Sequence, residues 1–464
     1  MTEFILPKNI VAVKGAKGEK KLLSRKARQI GLDETSVTAF GAGSYVILDF
    51  GAELCGEIRI LTYISDKTPV RIRFGESVSE CCAELGGDKN ATNDHSPRDF
   101  SVTLPKYSDL TFGGTGFRFV RLDFEGEVSI KSVIAINHIL KKKALYTYEG
   151  NDERIREIFD AAKRTVDLCA SGEYLWDGVK RDRLVWIGDI HPEMLALTAL
   201  YGRVSVIERS LDFVKKQTPL PQWMNRFPMY SMWWIIIVSD YLKYTGAVDF
   251  ASRQLDYLEG LVGQMLGCVS ETGELNYPSY FVDWPSHDTP DEIHGVRAIN
   301  IMAAKCAIHL LESFGKDTTN AKELLRRLML KKIAPESAKQ IFALKHFAVG
   351  LDKPDCEKLT VGGAMGMSTF MSYYILKAVA SFDRSAAIDM MKEYYGAMLD
   401  KGATTFFEDF DMSWVKNSSR IDEMPREGER DIHGDFGAYC YRGFRHSLCH
   451  GWSAGVIRFI MEEC

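Results

Sequence analysis

Residues 176 to 189, Trp-Asp-Gly-Val-Lys-Arg-Asp-Arg-Leu-Val-Trp-Ile-Gly-Asp, crowd three aspartates, three basic residues and two tryptophans into fourteen positions. Three later stretches combine aromatic rings with carboxylates, histidines or both: YPSYFVDWPSHD at 277 to 288, GATTFFEDFD at 402 to 411 and FRHSLCHGWSAG at 444 to 455. Such a mixture suits a sugar, whose C–H faces stack on aromatic rings while its hydroxyls need charged or amide partners. Hydrolysis of a glycosidic bond needs two carboxyl groups, one to protonate the leaving oxygen and one to activate water or attack carbon. Asp182 and Glu408, from segments far apart in the chain, can face each other across a pocket. Asp182 lies between Arg181 and Arg183, and a guanidinium favours the carboxylate form. Proton donation from Asp182 therefore needs burial or a nearby anion such as Asp177 or Asp189.

The same residues admit plainer readings. The first stretch reads equally as a salt-bridged surface loop, Trp186 and Trp284 as core anchors, and Asp177 as a helix cap. Glu193, four residues after Asp189, suits the first turn of a helix, where the helix dipole favours a carboxylate. His446 and His450, four apart on an expected helix, have the spacing of a metal pair but no evident third ligand, so no metal site and no cofactor are expected.

These residues need a scaffold, and the composition allows a large one. The chain has 464 residues, 46% hydrophobic and 26% charged, enough to bury a sizeable core. With 58 Lys plus Arg against 63 Asp plus Glu, its net charge of -5 provides no attraction for nucleic acid or an anionic membrane. A small glycoside or an oligosaccharide is the expected partner, with homo-oligomerisation left open. The first residues, MTEFILPKNIVAVKGAKGEKK, lack the charged start and cleavage site of a secretory signal, and no apolar run reaches membrane-spanning length. Ten scattered cysteines without paired CxxC spacing read as reduced thiols, so a cytoplasmic location is expected.

Two periodicities divide the chain. Up to about residue 140, apolar residues alternate, as in Val70-Arg-Ile-Arg-Phe74 and Phe117-Arg-Phe-Val-Arg-Leu122, with further strands expected at 45–50, 57–64, 99–104 and 128–136. Their short, regular spacing predicts an antiparallel β-sandwich, with 81–97 as a long loop. From Asn151 the helical period takes over: Ile155, Ile158, Phe159, Ala162, Val166 and Cys169 share one face, with Asn151 or Asp152 as N-cap. Comparable helical patterns fall near 192–216, 231–245, 249–267, 293–314, 319–332, 335–349, 365–382, 384–400 and 447–462. No fixed-period repeat of a solenoid is present, so a closed α/α toroid is expected. The domains read as 1–142, an N-terminal β-sandwich, and 143–464, an (α/α)6 six-hairpin toroid carrying the chemistry on its loops.

At the four loops the chain resembles glycoside hydrolase family 78, the inverting α-L-rhamnosidases. That family opens its toroid with approximately D-C-P-x-R-E-R-x-G-W-x-G-D. Here Asp177, Arg181, Arg183, Trp186 and Gly188-Asp189 stand in the matching order. Asp283-Trp284 is similar to the family's G-D-W segment, Gly402 to Glu408 to its T-T-x-W-E segment, and Ser447 to Trp452 to its closing S-x-x-H motif. FRFVRLDFEG at 117 to 126 resembles the end of the family's preceding β-sandwich. The resemblance implies Asp182 as general acid and Glu408 as general base of a single-step inverting exo-glycosidase, with the carboxyls roughly 6.5 to 9.5 Å apart. It implies a sugar subsite lined by Asp177, Arg181, Trp186, Asp189, Trp284 and His450, with Trp233 or Trp234 as a further wall.

Three departures stand out: Asp at the acid position where the family has Glu, Gly178-Val179 for Cys-Pro, and Phe407 for the Trp before the base. The first leaves a catalytically impaired sugar-binding relative as one alternative. Another is a toroid hydrolase acting on a uronide, with Arg181, Arg183 and Arg297 as carboxylate partners.

Overall fold

The computed structural model describes residues 2–24, 36–65 and 67–464. Its first third is antiparallel sheet: β1 (Thr2–Ile5), β2 (Asn9–Lys17), β3 (Thr38–Ser65), β4 (Pro69–Gly75), β5 (Asp99–Thr103), β6 (Asp109–Phe124) and β7 (Val128–His138), with a short α1 (Val78–Cys82) after β4. The strand order is β1-β7-β3-β6-β4-β5, with β2 also on β3. The two separate runs expected at 45–50 and 57–64 are one strand, interrupted by a register shift between Asp49 and Leu54. β3 curls far enough that Val128–Ile130 of β7 pairs with Thr38–Phe40 on one side and with Thr62 and Ser65 on the other. The alternation anticipated the burial, since Val46, Leu48, Ile58, Ile60, Val70, Ile72, Val120 and Leu122 all point into the strand core.

The remainder is helical: α2 (Glu153–Cys169), α3 (Ile187–Tyr201), α4 (Ser205–Gln217), α5 (Pro228–Thr245), α6 (Val248–Ser252), α7 (Leu255–Gly267), α8 (Glu292–Ser313), α9 (Thr319–Leu328), α10 (Lys339–Val349), α11 (Lys353–Thr360), α12 (Ser372–Ala380), α13 (Arg384–Asp400) and α14 (Val456–Glu463). The run expected at 192–216 is two helices, because Gly202 ends α3 at φ 66. Asp152 caps α2 by accepting from the Ile155 N–H, as expected.

Burial sorts the helices into two kinds. Every residue of α3 is buried, whereas α9 buries only Ala321, Leu324 and Leu328. A helix apolar all round belongs inside, and one with a single apolar stripe belongs outside. The inside helices pack in a closed cycle, α3 on α5, α5 on α8, α8 on α10, α10 on α12, α12 on α14 and α14 back on α3. Among the described residues no helix is long and apolar enough to cross a membrane.

Candidate active site

Four irregular segments, 170–186, 218–227, 268–291 and 401–455, lead into the N-termini of the inside helices α3, α5, α8 and α14. Residues of all four, or of the first turns they lead into, line one cavity of about 160 Å³: Asp177, Asp182, Trp186, Asp189, Phe227, Tyr230, Phe281, Trp284, Glu408, Cys440, Tyr441, His450 and Trp452.

Residues 177–184 form a closed loop rather than a helix cap, since Asp177 and Leu184 bond through their backbones at 3.2 Å and the Leu184 N–H donates to Asp177 Oδ1 at 2.9 Å. Gly178 pairs with His450 as an isolated bridge, bringing the first and last motifs side by side. A Cβ at Gly178 would lie 3.2 Å from the Cys449 carbonyl, so the family's Cys side chain has little room here. At the loop's tip the Arg183 N–H donates to the Arg181 carbonyl at 2.7 Å, and Asp182 and Arg183 hold φ 52 and φ 50. Consecutive non-glycine residues in the left-handed region carry strain, which recurs at functional sites. The Arg183 side chain is committed to the Gly114 and His95 carbonyls at 2.6 Å each.

Arg181 organises the carboxyls. Its Nη1 donates to Asp182 Oδ1 at 3.0 Å and its Nη2 to Glu408 Oε1 at 2.5 Å, so one guanidinium spans both candidate catalytic groups. Asp182 also stands 3.3 Å from His95 Nε2, and its side chain keeps 21% exposure toward the opening. Glu408 is buried and held from several sides. Its Oε2 accepts from the Ser447 N–H at 2.9 Å, and its carbonyl accepts from Thr369 Oγ1 at 2.5 Å and Trp452 Nε1 at 3.0 Å. Burial pushes the Glu408 carboxyl up to about 7, against the opposing pull of Arg181 and the Ser447 N–H.

Behind these lies an acidic floor. His450 Nε2 is 3.4 Å from Glu408 Oε1 and 3.8 Å from both Asp177 Oδ2 and Asp189 Oδ2. Burial and the neighbouring carboxylates push Asp177 and Asp189 well above the usual carboxylate range, and burial with the Arg181 charge pushes His450 well below the usual imidazole range. Asp177, Asp189 and His450 place ligand atoms within 4.8 Å of one another, a grouping able to hold a cation. Glu193 is fully buried, and among the described residues neither of its oxygens has a hydrogen-bond partner, nor does His450 Nδ1. Glu193 is therefore not the first-turn carboxylate expected of it: α3 begins at Ile187, which puts Asp189 in the first turn and Glu193 in the second.

Aromatic rings form the walls. Trp284 donates its Nε1–H to the Tyr441 hydroxyl at 2.6 Å and stacks on Tyr439 at 5.0 Å. Asp283 fixes this ring by accepting the Trp284 N–H at 2.9 Å and the Ser368 hydroxyl. Trp186 meets Tyr230 edge-on at 6.1 Å, and Arg181 sits 5.0 Å over the Tyr441 ring.

Three expectations fail on geometry. Trp233 and Trp234 do not line the cavity: both are buried within α5, Trp233 among His191, Phe370 and Tyr374 and Trp234 against Tyr257. Two neighbouring residues on an all-round buried helix point to different core contacts, which their sequence gives no means to see. His446 and His450 are not on a helix, since both backbones are extended at φ -73 and φ -134. Arg297 is spent on the Leu328 and Gly273 carbonyls at 3.1 and 2.9 Å, so with Arg183 also committed only Arg181 of the three arginines faces the site.

Sequence reasoning missed Phe227, Tyr230, Phe281, Cys440, Tyr441 and Trp452 as lining residues and His95 beside Asp182, while Arg181, expected as a wall, reaches the site only through Asp182 and Glu408. The one signal available was position: Phe227 and Tyr230 flank the start of a helix, as the quoted loops do.

The fold has known counterparts. A rhamnosidase from Klebsiella oxytoca with rhamnose bound matches at TM-score 0.76 and 19% identity, over 100% of this chain and 96% of that one. A family 78 rhamnosidase of Bacillus sp. GL1 matches at TM-score 0.70 and 17% identity, over 95% of this chain and 48% of that one. An α-L-rhamnosidase of Streptomyces avermitilis complexed with L-rhamnose matches at 0.66 and 13%, over 98% of this chain and 43% of that one. This chain therefore spans about half of those two larger enzymes. No protein-family profile and no curated protein matches it by sequence. The resemblance read from the four loops is borne out at the level of fold.

Proposed function

We propose that the protein is an inverting exo-glycosidase that hydrolyses terminal α-L-rhamnosides or closely related small glycosides. The observation that carries this reading is the Arg181 guanidinium spanning Asp182 and Glu408, the two carboxyls facing an aromatic-walled cavity. A volume of about 160 Å³ equals roughly five waters' share of the liquid, room for one sugar ring and not for a polymer. The rhamnose held by the Klebsiella and Streptomyces structures supports the choice of sugar. The closed helix cycle supports an (α/α)6 toroid over 143–464, and the curled sheet a β-sandwich domain over 1–142.

In this mechanism the sugar ring lies between Trp186 and Trp284, with its hydroxyls on Asp177, Asp189 and His450. A water held by Glu408 attacks the anomeric carbon as its proton passes to the Glu408 carboxylate. The bond from that carbon to the leaving oxygen breaks as Asp182 gives the oxygen its proton, so configuration inverts in one step. Glu408 must be ionised to act, and its carboxyl is pushed up to about 7, so kcat/KM should rise as pH increases through about 7. The test is turnover of an aryl α-L-rhamnoside by the wild type, Asp182→Asn and Glu408→Gln, with the product anomer read by NMR. Activity surviving both substitutions, or a retained anomer, overturns the assignment.

One observation favours a second reading. Asp182 is one methylene shorter than the family's acid and is already paired with Arg181 and His95, as suits a sugar-binding relative with impaired catalysis. An inert wild type that still binds rhamnose would select it.

A further inference from the structure

Glu76, between β4 and α1, belongs to the strand region yet reaches both loops that carry the candidate catalytic carboxyls. Its side chain is completely buried. Oε1 accepts from Ser447 Oγ at 2.9 Å, and Oε2 accepts from the Leu448 N–H at 2.7 Å and stands 3.1 Å from Lys180 Nζ. Ser447 is the residue whose N–H donates to Glu408 Oε2. Lys180 is the neighbour of Arg181, which holds Glu408 and Asp182 together. One carboxyl from a separate part of the fold thus bonds Ser447 directly and reaches the neighbour of Arg181, Ser447 and Arg181 being two of the residues that hold the Glu408 carboxyl.

The mount of Glu76 is itself rigid. Its N–H donates to Glu80 Oε2 at 2.7 Å, and Glu80 Oε1 meets Lys180 at 3.0 Å and Arg98 at 3.0 Å. A Cβ on the preceding Gly75 would fall 2.5 Å from the Ser77 carbonyl oxygen and 2.6 Å from the Cys81 nitrogen, so only glycine allows this tight return from β4 into α1. Gly116 of β6 likewise lies under the catalytic loop, where a Cβ would come within 2.6 Å of Val179 and 2.9 Å of the Lys180 nitrogen.

We propose that Glu76 is a positioning residue for the hydrolysis, setting the register between the loop that carries Asp182 and the loop that carries Glu408. The inference rests on the reading of those two groups as acid and base. Displacement of a reacting group by about 1 Å can cost about 100-fold in rate, and the links from Glu76 control displacement of this kind. An exposed ion pair between Asp94 and Arg445 joins the strand region to the same 443–450 segment without touching either carboxyl, and serves as the contrast.

The experiment compares Glu76→Ala, Glu76→Gln and Asp94→Asn in the full chain by kcat and KM on whichever aryl glycoside the wild type hydrolyses. Amide hydrogen exchange at 446–450 is followed in parallel. Glu76→Ala should lose about 100-fold in kcat with KM held within about threefold. Glu76→Gln keeps the reach and one carbonyl acceptor and should recover about tenfold of that loss. Asp94→Asn should stay within about twofold, as for other exposed pairs. The Ser447 and Leu448 amides should exchange faster in Glu76→Ala and not in Asp94→Asn.

A folded Glu76→Ala with unchanged kcat, or with a loss confined to KM, overturns the proposal. Should Glu76→Ala fail to fold, the isosteric Glu76→Gln supplies the same comparison. A wild type that hydrolyses no glycoside would overturn the catalytic reading on its own, and the exchange data would then decide positioning, with unchanged protection at 447–448 counting against it.

Discussion

Two buried charge clusters lie next to each other, and they are built oppositely. In the first, between the strands and helices, Glu76 and Glu80 face Lys180 and Arg98, two anions against two cations, with every carboxylate oxygen in hydrogen-bond or ion-pair contact. In the second, Asp177, Asp182, Asp189 and Glu408 at the cavity and Glu193 behind them gather with Arg181 paired directly to Asp182 and Glu408 only, beside a His450 that burial and Arg181 push well below the usual imidazole range. Burial of an ion is tolerable when it is paired and costly when it is not. In the first cluster Arg98 and Lys180 pull the Glu80 carboxyl below its ordinary range despite its burial, and burial lifts Glu76 against the pull of Lys180, whereas burial drives Asp177, Asp189 and Glu193 far upward. The balanced cluster holds the fold, and the unbalanced one is where a ligand's hydroxyls have partners to find.

Substitutions should separate the two. Glu408→Gln removes the proposed base and should cost roughly 1,000-fold in kcat with little change in the unfolding midpoint, within the range of general acid–base contributions. Lys180→Met leaves Glu76 and Glu80 short of a cation and should destabilise by about 3 kcal/mol in urea unfolding, as breaking a buried pair does. A Lys180→Met protein of native stability would erase the distinction. Trp284→Ala strips one wall of the cavity and should raise KM about tenfold with a smaller effect on kcat, since stacking on sugar is binding energy.

The smallest effect is the most diagnostic of imbalance. Burial, with Asp189 and Asp177 nearby, holds the folded Glu193 carboxyl well above its ordinary range, while the unfolded carboxyl ionises at about 4.3. Its contribution to stability is therefore full below about that pH and is lost as pH rises toward its raised folded value. Glu193→Gln cannot ionise, so the fall in unfolding free energy between pH 5 and pH 8, read from urea titrations, should be smaller than in the wild type.

Much of this was legible in the sequence wherever a local rule applied. Alternation found β4 to β7 and both halves of β3 but missed β1 and β2, and the helical period found α2 with its Asp152 cap. The crowding of Asp, Arg and Trp in short loops singled out Asp177, Asp182, Trp186, Asp189, Trp284, Glu408 and His450, which the fold gathers at one cavity. What stayed hidden depends on partners remote in the chain. Glu76 looked like any acid at a strand end, because its meaning comes from Ser447, 371 residues away. His95 fell in a segment without periodicity, and only the fold carries it to Asp182. Trp233 and Trp234 misled for the converse reason, since aromatic residues beside a loop serve a core as readily as a cavity.

The closed helix cycle has a consequence for how the molecule comes into being. α3 is among the first of the inside helices to be synthesised, and the α14 that covers it is the last in the described order. Until that segment emerges, α3 keeps an apolar face open to water, an invitation to misassociation or to a chaperone. His450 and Trp452 arrive with the same closing segment, so a nascent chain can neither seal its helical core nor complete the cavity before the cycle is shut. Closure of the helical core and completion of the cavity should therefore appear together, and late.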